Sequence, residues 1–191
     1  TLKVVLVGDD LNMAKTKLLN TWLEVLNSSK SFEDPFFDHY YQDVEASGVK
    51  FALQLCDMKG QEPYERVRVL TYANTGLVIF VHDQTDESIR STRDRWVPEI
   101  NKYLPRVYKA VISIQDSSSD HIAQQSVVDG RLTADSVDLA DKVAVARAFE
   151  AILLKLYAVF RIEQNSKIPP FIKKEVCCSP NFPAATLPQM K

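Results

Sequence analysis

Short apolar runs alternate with amphipathic stretches along most of the chain. The runs at 2–8, 76–83 and 108–114 are almost continuously apolar, which is typical of strands buried on both faces of a sheet. Between residues 40 and 56, apolar and polar positions alternate on either side of Ser47-Gly48. This pattern predicts an antiparallel hairpin.

Apolar residues recur at helical spacing in 14–27, 86–105 and 146–160, the last continuing to about Gln164. Segments 28–39 and 115–130 are polar and predict loops, and a weak strand is expected near 132–139. The order of elements predicts an α/β fold with a mostly parallel sheet, one antiparallel hairpin and flanking helices. Residues 1–165 are expected to form the domain, and 166–191 a proline-containing tail.

Composition narrows the class of protein. The chain has 191 residues, of which 46% are apolar, and its 23 basic residues nearly balance 25 acidic ones. This balance argues against nucleic acid as a partner. No apolar run is long enough to span a bilayer. Cys56 is expected to be buried, and the three cysteines form no disulfide framework, which favours a cytoplasmic location. The three histidines lack metal-ligand spacing.

The first strand is followed by the glycine-containing loop "GDDLNMAKT", residues 8–16. Backbone N–H groups of such a loop converge on phosphate, and the phosphate loop G-x4-G-K-[ST] is the best-known case. Here five residues separate Gly8 from Ala14, which replaces the second glycine, and Asp9 and Asp10 add negative charge. Lys15 and Thr16 still suit phosphate and Mg²⁺, although an ordinary strand-turn-helix explains the pattern equally well.

A second candidate region begins with "DMKGQE", residues 57–62. Asp57 follows a predicted strand, where a carboxylate can hold Mg²⁺ through water. Gly60 permits close approach of a terminal phosphate, and Gln61 is the candidate catalytic residue because it can orient an attacking water. A turn with a solvated Asp and Gln is the alternative for this short stretch.

The longer run "DMKGQEPYERVRVLTYANT", with the later "WVPEI", resembles the Rho/Rac branch of the Ras-like small GTPases. That family shows D-x-x-G-Q-E-x-Y-x-x-x-R-x-L-x-Y, and then W-x-P-E on the next helix. The matching residues here are Asp57, Gly60, Gln61, Glu62, Tyr64, Arg68, Leu70, Tyr72, Trp96, Pro98 and Glu99. The resemblance implies a Ras-like P-loop fold, GTP or GDP with Mg²⁺ held by Thr16 and Asp57, and protein partners at segments 30–41 and 59–75.

The chain departs from the family pattern at several functional positions. The first switch has Phe36 and Phe37 after Pro35, where the family has a threonine that binds Mg²⁺. The guanine-reading motif aligns with Ile114, Gln115, Asp116 and Ser117, so its carboxylate is absent or displaced by one position. Residues 138–140 replace the loop that closes on the base. The helical insert of Rho proteins and the C-terminal prenylation box are also expected to be absent.

These departures predict weak or no GTP binding and little hydrolysis. A hydrogen bond to a charged group contributes about 1.5–3 kcal/mol, so losing two at the base weakens binding by roughly two to four powers of ten. A protein-binding scaffold or regulator, that is a pseudo-GTPase, is therefore the favoured hypothesis. A working atypical GTPase switch, or a site for another nucleotide, remains an alternative.

Two further features are open to more than one interpretation. The aromatic residues of segment 32–41 either fill the nucleotide side of the domain or anchor a partner. Cys177 and Cys178, near two lysines, belong either to a solvated tail or to an acylated segment at a membrane surface.

Overall fold

The computed structural model describes residues 1–9, 13–27, 32–33, 37–58, 64–115 and 136–163, without the side chains at 32, 33, 37, 38 and 163. The strands are β1 (Leu2–Val7), β2 (Phe32–Glu33), β3 (Phe37–Ala46), β4 (Val49–Met58), β5 (Thr75–His82), β6 (Tyr108–Gln115) and β7 (Ser136–Asp138). The helices are α1 (Ala14–Val25), α2 (Glu65–Thr71), α3 (Asp86–Ser91), α4 (Val97–Tyr103) and α5 (Lys142–Glu163), with a π-helical segment at Thr92–Trp96.

Among the described residues these strands form one sheet in the order β2-β3-β4-β1-β5-β6-β7. The central pairings of β1 with β4 and β5, and of β6 with β5 and β7, are parallel. Strands β3 and β4 form the antiparallel hairpin. The predicted α/β architecture is therefore confirmed, and it brings the carboxyl ends of β1, β4, β5 and β6 to one edge of the sheet.

Helices cover both faces of this sheet. On one face, α1 and α5 pack on β1, β3, β4, β5 and β6, and Trp22 stacks on Phe149 with ring centroids 3.8 Å apart. On the other face, the alternate side chains of β1, β4 and β5 contact Tyr72, Trp96 and Ile100. Cys56 belongs to this second core, and its burial raises the pKa of the thiol to about 11, so the prediction of a buried Cys56 is confirmed.

The structure corrects several predicted boundaries. The supposed loop at 28–39 contains β2, which pairs antiparallel with β3, and β3 begins at Phe37 instead of Tyr40. Helix α2 was not predicted, because seven residues are too few for a clear periodicity, and short helices depend on tertiary contacts. The strand predicted at 76–83 is β5, which ends at His82.

The predicted helix at 86–105 is divided by the π-helical segment. Ser88, Thr92, Trp96 and Ile100 are all buried and lie four residues apart. In a regular α-helix this spacing drifts by about 40° per step. A π-helical turn contains more residues, so it keeps the four side chains directed at the same core.

Several predictions concern residues outside the described ones. They include Gly60, Gln61 and Asp116, the missing Rho insert, and the tail 166–191 with Cys177 and Cys178. No helix in the described part of the chain is both long and apolar enough to cross a membrane.

Candidate functional site

Gly8 directly follows β1 at a position that only glycine fits. Its φ is +151°, and a Cβ atom there would lie 2.3 Å from the carbonyl oxygen of Val81 in the neighbouring strand β5. The loop therefore leaves the sheet in close contact with β5. This agrees with the predicted position of Gly8, although its role toward a ligand stays a prediction.

Lys15 closes the loop from the first turn of α1. The side chain is only 2% exposed, and Nζ donates hydrogen bonds to the carbonyl oxygens of Gly8 and Asp9, at 2.8 and 3.1 Å. Met13, just before the helix, adopts a left-handed conformation with φ +52°. The lysine thus holds the start of the loop against the helix that ends it.

Thr16 and Asp57 meet at the carboxyl edge of the sheet. The Thr16 hydroxyl donates a hydrogen bond to Oδ2 of Asp57 at 2.6 Å, because β4 lies next to β1 in parallel. A hydroxyl and a carboxylate are hard oxygen ligands that suit Mg²⁺, which binds few protein groups and completes its shell with water and phosphate. The two predicted metal residues therefore fit such an ion together.

The predicted base-reading region lies at the same edge. Gln115 ends β6 and pairs with Asp138 of β7. The Asp138 carboxylate accepts a hydrogen bond from the backbone N–H of Ala140 at 2.8 Å. This bond forms a tight turn where the family pattern has the loop that closes on guanine. Asp116, the displaced candidate carboxylate, is not among the described residues.

A polar cluster around His82 was not predicted. The backbone N–H of Gln84 donates to Nδ1 of His82 at 3.3 Å, so Nε2 carries the proton and donates to Ser113 Oγ at 3.0 Å. Burial lowers the pKa of His82, against the opposing charge of Asp83. In this tautomer His82 donates a hydrogen bond to Ser113 and cannot accept its proton. The hydrogen bonds of His82 therefore link the ends of β5 and β6.

Helix α2 is held by a buried ion pair. Arg68, 1% exposed, donates to both carboxylate oxygens of Glu99 in α4, at 3.0 and 2.9 Å. Tyr72 donates to the same carboxylate at 2.5 Å. We call Arg68, Tyr72 and Glu99 the α2 clamp. Lys3 of β1 donates to the carbonyl oxygens of Thr71 and Ala73 at the end of the helix.

The ion pair of the α2 clamp stays charged although it is buried. Burial alone would raise the pKa of Glu99, but hydrogen bonds from Arg68 and Tyr72 outweigh it, so this pKa is lowered. Burial would lower the pKa of Arg68, but the bond to Glu99 raises it instead. Burial and the same carboxylate raise the pKa of Tyr72. Both partners of the ion pair are therefore ionised near neutral pH.

Trp96 lies between the α2 clamp and the loop after β1. Its ring is contacted by the guanidinium groups of Arg68 and Arg95, at 4.7 and 4.6 Å from the centroid. Its indole N–H donates to Oδ1 of Asp9 at 3.0 Å, and Arg95 lies 3.6 Å from the same oxygen. The negative charge that Asp9 adds to the loop is therefore paired with Trp96 and Arg95. Its effect on a polyphosphate stays a prediction.

The structure therefore groups the described site residues in two places. Gly8, Lys15, Thr16 and Asp57 surround the loop after β1, as predicted, with Gln115 farther along the same edge. The residues that carried the family resemblance, Arg68, Tyr72, Trp96 and Glu99, pack together under α2. The segments predicted to face a partner are described only at 32–33, 37–41 and 64–75.

Comparison with known proteins identifies the family. The sequence profile of the Ras family matches residues 3–154, and the chain therefore belongs to the Ras family. It is 32% identical to the Rho-related GTP-binding protein RhoB of Homo sapiens over 110 residues, 55% of this chain and 53% of RhoB.

Two fungal proteins are also similar. GTP-binding protein rho3 of Schizosaccharomyces pombe is 30% identical over 115 residues, 59% of this chain and 55% of rho3. GTP-binding protein RHO2 of Saccharomyces cerevisiae is 28% identical over 151 residues, 78% of this chain and 75% of RHO2. The chain matches only about half the length of RhoB and rho3. These relatives are of the Rho type, in agreement with the resemblance seen in the sequence.

Proposed function

We propose that this Ras-family domain is a Rho-like protein-binding scaffold or regulator with weak or no GTP binding and little hydrolysis. The observation that carries the proposal is the way α2 is held. Arg68, in the middle of α2, is buried in a two-bond ion pair with Glu99, and Lys3 caps the C-terminal end of the helix. A switch helix has to rearrange between states, whereas a helix fixed at its middle and at its C-terminal end presents one constant surface there.

The surface available to a partner lies on α2 and β3. Leu70 of α2 is 79% exposed, and Tyr41 of β3 is 57% exposed. Tyrosine is enriched at the energetic centres of interfaces. Both residues fall within the segments 30–41 and 59–75, to which we assign the contacts with protein effectors or regulators.

The nucleotide side supports the same proposal through its sequence. Ala14 stands in place of the glycine before the lysine, and it is buried. The first switch lacks its threonine, and Ser117 stands where the guanine-binding aspartate is expected. With two hydrogen bonds lost, each worth about 1.5–3 kcal/mol, guanine nucleotide would bind weakly.

A second candidate function is an atypical GTPase switch. It is favoured by the buried Lys15 against the loop and by the 2.6 Å contact of Thr16 with Asp57. In that case Lys15 would bind phosphate, Thr16 and Asp57 would hold Mg²⁺, and Gln61 would orient water. The bound ion would neutralise phosphate charge. A different nucleotide is the remaining option, because the guanine-specific carboxylate is missing or displaced.

The location follows from the same proposal. A partner-binding domain of this composition would act in the cytoplasm. Acylation at Cys177 or Cys178 would add peripheral membrane contact, and palmitate-release assays on the cellular protein would detect it.

The decisive experiment measures bound nucleotide. The protein is purified without added nucleotide and denatured, and the supernatant is separated by ion-exchange chromatography. We expect far less than one equivalent of GDP or GTP. One equivalent of guanine nucleotide would overturn the scaffold proposal.

A thermal-shift panel separates the alternatives. Wild type and Lys15→Met are melted with Mg²⁺ and millimolar GTP, ATP, UTP or CTP. Ligand binding raises the melting temperature in proportion to RT ln(1 + [L]/Kd), so we expect no Mg²⁺-dependent rise in either protein. A rise with GTP in wild type alone supports the switch, and a rise with another nucleotide alone supports the third option.

A further inference from the structure

The carboxyl ends of β5, β6 and β7 are joined by side chains that neither proposed function requires. Three of them lie side by side, because Ser113 of β6 pairs with His82 in β5 and with Ser136 in β7. Gln84 links the two strands that flank β6: its backbone N–H donates to Nδ1 of His82 at 3.3 Å, and its side-chain amide donates to Oγ of Ser136 at 2.6 Å. We call His82, Gln84, Ser113 and Ser136 the strand-end network.

Gln84 holds a strained backbone conformation within this network. Its φ is +65°, in the left-handed region that few residues other than glycine adopt. Such a conformation costs free energy and persists only where its surroundings fix it. Hydrogen bonds to His82 and Ser136 fix Gln84 at its backbone and at its side chain. Loss of the bond to His82 therefore allows the backbone to relax and moves the amide away from Ser136.

Strand β7 depends on this contact because it is short. It has three residues, Ser136–Asp138, and in the described part of the chain it pairs with β6 alone. Val137 is buried in the core, and the Asp138 carboxylate accepts a hydrogen bond within its own turn. The side chain of Ser136 is held by Gln84, 52 positions away in the chain. The Gln84 bond therefore stabilises the start of β7.

Protonation of His82 removes the first bond of the network. Nδ1 accepts from the backbone of Gln84 only while it carries no proton, since a protonated imidazole donates from both nitrogens. His82 is 6% exposed, so a charge on its ring is also poorly solvated, and this burial lowers the pKa of His82. Release of the ring to water removes that penalty. Acid therefore favours the broken network.

The charged group that acts on His82 is Asp83, the next residue in the chain. Asp83 favours the protonated ring, but burial outweighs its effect. Its carboxylate also accepts from the N–H and the hydroxyl of Thr85, just before α3. The lysines of β1 and β6, Lys3 and Lys109, lie near the opposite ends of these strands. Neutral His82 is therefore the favoured form while the network is intact.

Charged side chains on the helices packed against β5 are paired or exposed. The π-helical segment carries Arg93 and Asp94, which pair with each other. It also carries Arg95, which pairs with Asp9 after β1. Helix α1 packs on the opposite face of the sheet, where Lys15 binds loop carbonyl oxygens and the other charged side chains are exposed.

We propose that the strand-end network makes this edge of the sheet sensitive to pH: protonation of His82 releases Gln84, and Gln84 releases the start of β7. The change lies at the edge that carries the predicted base-reading region, so acid alters the shape of that edge with no ligand or partner bound. The device is independent of the scaffold proposal, because a scaffold and a nucleotide-binding switch would both contain the network.

NMR spectroscopy of the isotope-labelled full chain tests the proposal. The ring-nitrogen shifts of His82 should show a proton on Nε2 at neutral pH. Between pH 7.5 and 5.5, the amide signals of Gln84 and Ser136 should shift together with the imidazole, with a midpoint below about 6.5. His82→Gln should abolish both shifts. His39→Gln, the matched control at another described histidine, should preserve them.

A further variant tests the order of the steps. Ser136→Ala removes the acceptor of the Gln84 amide, so the shift of Gln84 should remain while the shifts at 136–137 disappear. A direct effect of the imidazolium charge would instead persist at both places. Shifts that persist at 136–137 in Ser136→Ala, β7 signals that do not follow His82, or a proton on Nδ1 at neutral pH would each overturn the proposal.

Hydrogen exchange, followed by mass spectrometry, gives the size of the effect. From pH 7.5 to 5.5, and after correction for intrinsic exchange rates, protection of 84–85 and 136–138 should fall about twofold to tenfold. The upper limit follows because pH 5.5 lies about one unit below the pKa of a solvated histidine. No fall in wild type, or the same fall in His82→Gln, would contradict the proposed role of His82.

Discussion

The loop after β1 and the α2 clamp are both polar and largely buried, but they are stabilised in different ways. Lys15 binds backbone oxygens only six and seven positions away in the chain. The α2 clamp joins side chains 27 and 31 positions apart. A backbone oxygen accepts a hydrogen bond whatever side chain its residue carries, so these loop positions tolerate substitution. A hydrogen bond between two side chains is lost when either residue is replaced. This difference agrees with the match of the second-switch segment to the family pattern and with the departures in the loop.

Breaking the α2 clamp should have the largest effect. Arg68→Ala leaves the Glu99 carboxylate buried without its cation, a change that typically costs about 3–5 kcal/mol. We expect that loss in the free energy of unfolding, measured by urea denaturation. The matched control is Arg93→Gln at the exposed pair with Asp94, which should unfold like wild type. Equal effects of the two substitutions would contradict the distinction between them.

The loop should be most sensitive at Gly8. Gly8→Ala forces a Cβ against the Val81 carbonyl and strains the backbone, and together these cost about 2–4 kcal/mol. In Gly76→Ala the new Cβ meets only the end of the Leu2 side chain, which can move. Urea denaturation should therefore show a clearly smaller loss for Gly76→Ala, and the reverse order would contradict this account of the loop.

The contact between Thr16 and Asp57 should contribute less. Thr16→Val keeps the shape but removes the hydroxyl, and we expect a loss of about 1–2 kcal/mol in unfolding free energy. Thr16→Ser keeps the donor and should recover most of that loss. If serine and valine destabilise equally, the hydrogen bond is not the cause.

The hydrogen-bonded cluster of His82 at the ends of β5 and β6 should make the stability of the protein depend on pH near neutrality. The α2 clamp should not. The pKa of His82 is lowered in the folded protein, whereas in the unfolded chain it has the ordinary value of about 6.5. Below that pH the unfolded chain therefore binds more protons than the folded protein does. The stability from neutral His82 is complete above that pH and is lost as the pH falls toward the folded-state value. Between pH 7.5 and 5.5 we expect a loss in unfolding free energy of at most about 1.4 kcal/mol, because one histidine contributes no more than that over the one pH unit below its unfolded-state pKa.

The His82→Gln variant separates this contribution from those of the carboxylates. Urea denaturation at both pH values should show a smaller drop for His82→Gln than for wild type. An identical drop in the two proteins would exclude His82 as the source.

Substitutions on the exposed surface should change stability least. Leu70→Ser is expected to alter the unfolding free energy by less than about 0.5 kcal/mol, since the side chain is mostly in solvent. Under the scaffold proposal, Leu70→Ser should nevertheless weaken the binding of partner proteins. This is measured by the yield of proteins crosslinked to α2 in cells. Unchanged binding would remove Leu70 from the partner surface.

The elements that were predictable share strong local patterns. Strands β1 and β5 are buried on both faces and are therefore almost continuously apolar. Strand β6 is buried on one face and half-buried on the other, while α1 and α5 are long enough to show their periodicity. Helix α2 and β2 were missed because each has too few residues to carry a pattern. Helix α2 is stabilised by tertiary contacts, above all by the α2 clamp.

The same division applies to the candidate site. The residue types at Gly8, Lys15, Thr16 and Asp57 indicated an anion and metal site, because that chemistry depends on residue type and on position after a strand. The direction of the Asp9 carboxylate was not predictable, since it depends on a tryptophan 87 positions later. Nor was the tautomer of His82, which is set by a backbone N–H and a serine on the next strand.

By itself the sequence determined the order of the longer strands and helices, the kinship with Rho-type proteins and the residues around the loop, because these follow from local pattern and residue chemistry. Only the tertiary structure decided which charges meet. A buried carboxylate is oriented toward a hydrogen-bond donor or cation that offsets the cost of its desolvation. The fold decides which segment of the chain supplies that group.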